Sequence, residues 1–295
     1  MSGRGKLMMV LGLLSLITTT CSAQVAAKAP GIDPALMAKA SSGNAEAEFR
    51  VGTKYELGAN VPKDAAQAAT WYRKAAEKGL PQAQHSLGVL YEFGTGVPAD
   101  LATATQWYRK AAEQGFAPAE FSLGLCYAHG KGVPQDFGQA RAWYEKAAEQ
   151  KNSDAIFNLA YLYHAGQGVP KDEARSFDLV RQAAEAGSAD AQFQLGMAYY
   201  QGEEGLPTDQ SLARKWLHRS AKQGDVAAQF NYAMLLKAEP EQVYFWLSVA
   251  APHMVGQTKE KTAELRKDAA GRLSPAQKAD LDKQARDWRP VEEQP

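Results

Sequence analysis

Cysteine is nearly absent from this chain. Only Cys21 and Cys126 occur among its 295 residues, so it has no Cys-x-x-Cys motif for metal or redox chemistry. Cys21 falls in a segment that we expect to be removed, which leaves Cys126 alone and excludes an internal disulfide. Cys126 stands where Leu90 and Leu162 stand 36 residues before and after it, which indicates a small core residue and not a nucleophile.

Net charge is also lacking. The 33 Lys and Arg residues are balanced by 33 Asp and Glu residues. Binding to nucleic acid depends on a basic patch that neutralises phosphates, so this balance argues against a nucleic-acid partner. Hydrophobic residues make up 45% of the chain, which is enough for a substantial core.

The N-terminal apolar run, from Leu7 to Ile17, is too short to span a bilayer. Basic residues precede this run, and Cys21-Ser22-Ala23 supplies small residues for cleavage. The pattern predicts a signal peptide over residues 1–23, cleavage before Gln24, and a periplasmic or secreted protein. The alternatives are a lipoprotein anchored at Cys21, although the preceding threonines fit a lipidation motif poorly, and a buried N-terminal helix.

Motifs for catalysis and for metal binding are missing as well. The chain has no Ser-x-x-Lys, no His-Glu-x-x-His and no carboxylate pair at a glycosidase spacing. Its Gly-x-Gly segments lie between predicted helices, whereas phosphate loops follow a strand. His129 and His164 end equivalent helices in adjacent copies of a repeat, but no third ligand follows at a fixed spacing. We therefore expect no enzyme activity, no metal and no cofactor.

What the sequence does contain is a repeat of 36 residues. Tryptophan, glycine and valine each recur at this spacing, at Trp71, Trp107 and Trp143, at Gly52, Gly88 and Gly124, and at Val61, Val97, Val133 and Val169. Such a period is the signature of a repeat architecture. The copies run over residues 44–79, 80–115, 116–151, 152–187, 188–224 and 225–251, and the fourth departs from the pattern with Leu179-Val180 in place of Trp-Tyr.

Each copy is predicted to form two helices. Ala83, Leu87 and Tyr91 recur at helical spacing and form an apolar stripe. Gly94 can end this first helix in the left-handed conformation, and Asp100 suits the N-terminus of the second.

The glycine in the middle of the first helix is informative. A mid-helix glycine such as Gly88 costs roughly 1 kcal/mol relative to alanine, so another interaction must offset it. Ala160 and Ala233 hold this position in other copies. The position therefore requires a small side chain and not a positive φ, which predicts a close approach of the second helix.

The segments on either side of the repeats are distinct. Residues 24–43 form an Ala-rich leader that we expect to be flexible. Residues 252–295 are predicted to form a C-terminal helical cap, in which Ser274 to Gln277 reads as a capping box. A terminal repeat needs such a cap because its apolar face is otherwise exposed.

The Leu-Gly-x-x-Tyr segment of the first helix and the second helix, Trp107 to Gly115, resemble the Sel-one-like repeat family, relatives of tetratricopeptide repeats. The resemblance implies an all-α fold, a right-handed α-solenoid of about six helix-turn-helix repeats with a C-terminal helical cap. It also implies a scaffold or adaptor that binds another protein or peptide. Some cysteine-rich relatives are described as binding or hydrolysing β-lactams, but they carry paired cysteines in each repeat. This chain lacks such pairs. The alternative function that stays open is a cell-envelope glycan-binding or hydrolase (β-lactamase-like) accessory protein.

Positions that vary between copies are free to serve function, whereas fixed positions are needed for stacking. Three slots at the end of the first helix vary most, and in tetratricopeptide repeats, which these copies resemble, such slots face the concave surface. Solenoids bind partners on that surface. The candidate partner-binding residues are His129, Tyr161, His164, Met197, Tyr200 and Gln201. The other interpretation, that these side chains fill the space between stacked repeats, stays open.

Overall fold

The computed structural model describes residues 31–203 and 205–291, and within them all regular structure is helical. The expected signal peptide, Cys21 and the first part of the leader lie outside the described residues. The α-helices are α1 Pro34–Ser41, α2 Ala45–Leu57, α3 Ala65–Glu77, α4 Pro81–Phe93, α5 Leu101–Ala112, α6 Ala117–His129, α7 Phe137–Glu149, α8 Ser153–Ala165, α9 Glu173–Glu185, α10 Ala189–Gln201, α11 Gln210–Lys222, α12 Val226–Leu235, α13 Pro240–Ala250, α14 Gly256–Gly271 and α15 Pro275–Asp287. A 3₁₀ turn, Ala251–His253, separates α13 from α14.

Helices α2 to α13 form six consecutive pairs, one for each predicted copy. We call the first helix of a pair helix A and the second helix B. The two helices of a pair pack against each other, and each helix B also packs against helix A of the next pair. Because the main contacts of each pair are with its neighbours along the chain, the fold is an α-solenoid. The prediction of an all-α solenoid is confirmed.

The glycines and aspartates of the connecting loops act as predicted. Gly94 ends α4 with a φ of 66°, and the Asp100 side chain accepts two backbone N–H bonds at the start of α5. The second loop glycine, Gly96, has a different role, because an added Cβ would lie 2.3 Å from the carbonyl of Ala65 in the preceding helix B. Asn60 adopts the same conformation in the first pair, which no complete pair precedes.

Within a pair, helix A meets helix B where a small residue faces a large one. A Cβ added to Gly88 would lie 2.6 Å from the Tyr108 ring, so the two helices are too close for a larger side chain. The predicted close approach is thereby confirmed. The first and third pairs repeat this contact with Gly52 and Tyr72 and with Gly124 and Tyr144. The fourth pair has Ala160 and Val180 at these positions, so the size of one residue is matched to that of the other.

The leader is partly folded, which corrects the expectation of a flexible segment. Residues 34–41 form α1, which buries Leu36 and Ala40 against α2. Gly43 follows α1 with a φ of 90° and precedes the equivalent Gly79 by one repeat length. Helix α1 thus occupies the place of a helix B ahead of the first helix A, and it covers an apolar surface that would otherwise face water.

The other end of the solenoid is covered by α14 and α15, which both pack against α13. The predicted capping box is present, since the Ser274 hydroxyl accepts from the Gln277 N–H and the Gln277 side chain accepts from the Ser274 N–H. The Trp288 ring lies 6.2 Å from that of Trp246 in α13. These contacts shield the last pair, as a solenoid cap must.

A buried polar residue follows the start of helix A in most pairs. Gln84 donates from Nε2 to the Ala76 carbonyl at the end of the preceding helix B, at 3.1 Å. Gln192 and Gln229 make the equivalent bond. The third pair has Glu120 instead, and its carboxylate accepts from Gln150 at 2.8 Å. Burial raises the pKa of Glu120, because the charged form loses its hydration.

The contact between helix A and helix B predicts that the effect of Gly88→Ala on stability changes sign when Tyr108 is also replaced. Gly88→Ala should destabilise the native protein, because forcing a methyl group against Tyr108 costs about 1–3 kcal/mol. Tyr108→Val should lower the free energy of unfolding by about 2–4 kcal/mol. In that background Gly88→Ala should stabilise, because it recreates the Ala–Val pair of the fourth copy. Urea denaturation of the four proteins measures the coupling; equal effects of Gly88→Ala in both backgrounds would contradict the size-matching argument.

The raised pKa of Glu120 predicts a pH-dependent gain for Glu120→Gln. The folded state disfavours the charged carboxylate, so this penalty is complete above the folded-state pKa and disappears as pH falls to the unfolded value of about 4.3. Glu120→Gln should therefore raise the free energy of unfolding at pH 7, and the gain should shrink towards pH 4. Gln84→Glu is the matched control and should lower stability at pH 7. Denaturation across this pH range checks both, and a gain independent of pH would contradict the charge argument.

Candidate functional site

Five of the six candidate residues lie in solvent at the ends of successive A helices. We call this surface, formed by His129, Tyr161, His164, Tyr200 and Gln201, the helix-A face. Tyr161 is 58% exposed and Tyr200 is 44% exposed, although both are large aromatic side chains. Met197 is partly buried and packs with the apolar cluster of the fifth and sixth pairs. Met197 therefore contributes to stacking between repeats, as the second interpretation of the sequence allowed.

An ion pair lies on the helix-A face at the fourth pair. His164 Nδ1 is 2.7 Å from Glu173 Oε2, and Lys171 Nζ is 2.7 Å from Glu173 Oε1. Hydrogen bonds from Lys171 and from His164 lower the pKa of the Glu173 carboxyl, so it carries its charge at neutral pH. This arrangement places a carboxylate acceptor and a ring nitrogen on the same face as the exposed rings of Tyr161 and Tyr200.

A metal site does not form from the two histidines that the sequence placed in adjacent copies. His164 is held by Glu173, and His129 lies one pair earlier on α6. Across residues 31–203 and 205–291, no three side chains of His, Cys, Asp or Glu come together as a metal site needs.

Two residues that resemble catalytic groups are part of the core. His85 Nε2 lies 3.1 Å from Ser122 Oγ, and its ring packs 5.4 Å from that of Tyr108. Burial lowers the pKa of His85 to about 4, so the ring is neutral at pH 7. Cys126 is buried and free, and burial raises the pKa of its thiol, which makes it unreactive. The burial of Cys126 confirms the interpretation from the sequence.

A cavity of about 280 Å³ between α8 and α9 was not predicted from the sequence. Its buried wall contains Ala160, Ser176 and Val180, and its opening contains Tyr161 and His164. The remaining lining residues are Phe157, Glu173, Phe177 and Gln194. The signal for this cavity is in the sequence, where Leu179-Val180 replaces Trp-Tyr, but its meaning depends on which residues surround the missing tyrosine.

None of the described helices combines the length and the apolar character needed to cross a bilayer.

These features define a helix-pair repeat protein with an exposed aromatic face and a single-ring-sized cavity beside it. A family model described as Sel1 repeat matches residues 45–80, 81–116, 117–152, 153–188 and 189–225. The matched segments cover more than half of the chain, and it belongs to the Sel1 repeat family. The sixth pair, α12 and α13, lies outside these segments, and its loop is shorter than the loops of the other pairs.

Two solved structures support the assignment. A Sel1 repeat protein from Oxalobacter formigenes is 34% identical, with 76% of this chain and 91% of that chain covered and a TM-score of 0.67. The protein c5321, described as a protective antigen in uropathogenic Escherichia coli with an SLR fold, is 36% identical with a TM-score of 0.62. That match covers 85% of this chain but spans only 56% of that protein's length. A comparison with curated protein sequences gives no match.

Proteins of this family are generally protein-interaction scaffolds and are typically non-catalytic. The described residues agree with that general role, because His85 and the buried Cys126 take part in packing and His164 takes part in a surface ion pair.

Proposed function

We propose that this protein is a scaffold of the cell envelope that binds a segment of another protein on the concave side of the solenoid, at the helix-A face. The observation that carries the proposal is the exposure of Tyr161 and Tyr200, on adjacent A helices. Aromatic side chains are enriched at the centres of protein interfaces, where they bury a large area with little loss of conformational entropy.

The surroundings of these tyrosines fit the same role. His164 and Gln201 add polar groups beside the rings, so a bound peptide finds hydrogen-bond partners at the rim of an aromatic patch. Rigid A helices hold the side chains at a repeat spacing, which suits an extended segment that crosses several repeats.

Replacement of both tyrosines tests the binding face. Tyr161→Ala with Tyr200→Ala should weaken capture of the partner by about 2 kcal/mol or more, roughly 30-fold in affinity. Stability should change little, because both side chains are exposed. Affinity capture from a cell-envelope extract with mass spectrometry identifies the partner, and titration of the purified partner then measures the loss.

Two controls separate binding from folding. Val255→Ala removes an exposed apolar side chain at the cap and should leave capture unchanged. Tyr108→Ala removes a fully buried ring and should lower the free energy of unfolding by about 3–5 kcal/mol. If the double variant melts as early as Tyr108→Ala, the tyrosines serve stacking; if it folds and captures the partner fully, binding occurs elsewhere.

We also propose that the protein acts outside the cytoplasm after removal of residues 1–23. The support is the basic start, the apolar run and the small residues before Gln24. Sequencing of the mature N-terminus should begin at Gln24, and Ala23→Arg should leave the precursor uncleaved. Mass spectrometry that finds lipid on Cys21, and loses it in Cys21→Ser, would replace this proposal with an anchored lipoprotein.

A further inference from the structure

The cavity between α8 and α9 occupies the space that a tyrosine ring fills in the first three pairs. In each of those pairs the helix B tyrosine packs against a ring from helix A. The centroid distances are 5.3 Å for Phe49 and Tyr72, 5.4 Å for His85 and Tyr108, and 6.0 Å for Phe121 and Tyr144. In the fourth pair Phe157 keeps the helix A ring, but Val180 takes the place of the tyrosine and the space stays open.

The residues around Tyr108 identify the walls of the cavity. Tyr108 packs against His85 and Gly88 and donates its hydroxyl to Glu92 at 2.8 Å. The residues at these three positions in the fourth pair are Phe157, Ala160 and His164, and all three line the cavity. The cavity is therefore a tyrosine-shaped site from which the chain's own tyrosine has been removed.

The polar groups of the cavity are placed for a phenol. The Ser176 hydroxyl, in the deep wall of the cavity, already donates to the Ala160 carbonyl at 2.8 Å, so it does not need a hydrogen bond from a ligand. His164, which is paired with Glu173, holds the repeat position of Glu92, the acceptor of the Tyr108 hydroxyl in the second pair. One aromatic ring with one hydroxyl group at its outer end satisfies both parts of the site.

The size of the cavity selects a single ring. Apolar cavities of about 150 Å³ accept a benzene molecule. Sites for drug-sized ligands range over about 300–1,000 Å³. At about 280 Å³ the cavity has room for one substituted ring and for little more.

We propose that this cavity receives the side chain of a tyrosine from the partner protein, with its hydroxyl bonded to the His164–Glu173 pair. The inference rests on the proposed function, because it assumes that the partner lies on the helix-A face. Tyr161, exposed at the mouth of the cavity, supplies a second ring against the backbone or side chains that flank the inserted tyrosine.

Titration of the full chain with N-acetyl-tyrosinamide tests the site without knowledge of the partner. The methyl resonances of Ala160 and Val180 should shift and saturate. N-acetyl-phenylalaninamide, which lacks the hydroxyl, should bind about fivefold more weakly. Glu173→Gln with His164→Ala changes exposed side chains and should remove this preference while binding of the ring persists. Absence of a saturable shift at Ala160 and Val180 overturns the inference.

Filling the cavity provides the matched variant. Ala160→Gly with Val180→Tyr rebuilds the pair found in the first three copies, so the chain should fold and its own ring should exclude the probe. Saturation transfer to the probe should then fall to background, whereas Ala160→Gly alone should retain it. Tyr108→Val should open a second site in the second pair, with folding checked by thermal denaturation. Undiminished binding to the filled variant overturns the inference.

The two proposals fail separately. If the tyrosine double variant loses the partner but the native chain binds no N-acetyl-tyrosinamide, the helix-A face stands and the cavity inference is wrong. If the probe binds but the filled variant captures the partner as well as the native chain does, the cavity is a tyrosine site that the partner does not use, and the inference is again wrong. The inference is supported if the native chain binds the probe and if both the tyrosine double variant and the filled variant lose the partner.

Discussion

The contact between a small residue in helix A and a large one in helix B determines the rest of this structure. Gly88 lets Tyr108 approach so closely that the tyrosine is 1% exposed, and the hydroxyl reaches Glu92. Glu92 also pairs with Lys131 of the next copy at 2.7 Å. One steric allowance thus fixes the distance within a pair, and a partly exposed ion pair links that pair to the following one.

The same constraint explains where the solenoid can acquire a function. A repeat that keeps the glycine and the tyrosine has a filled interior, and its variable positions are limited to the surface. The fourth pair relaxes the constraint on both sides, with Ala160 and Val180, and the small gain in volume at one position does not fill the loss at the other. The cavity is therefore a consequence of unequal compensation, and it lies beside the exposed Tyr161.

The apolar surfaces at the two ends of the solenoid need to be covered, as those in its middle are. A helix pair buries its apolar sides only when neighbours are present on both sides. Helix α1 meets this need at the start with Leu36 and Ala40, and α14 and α15 meet it at the end through contacts to α13. The scaffold between them is continuous, so side chains on the helix-A face keep a fixed spacing that a bound segment can use.

The sequence by itself determined the helix pairs, because the 36-residue period, the loop glycines such as Gly94 and the N-terminal aspartates act locally on the backbone. It also contained the signal for α1 in Gly43, one repeat length before Gly79, but a helix of eight residues has too little periodicity to be recognised alone. Only the tertiary structure decided which variable positions are exposed, since Tyr161 and Met197 occupy the same slot and differ in burial. It alone revealed the cavity, because an empty volume depends on residues from several helices and is not a property of any one segment.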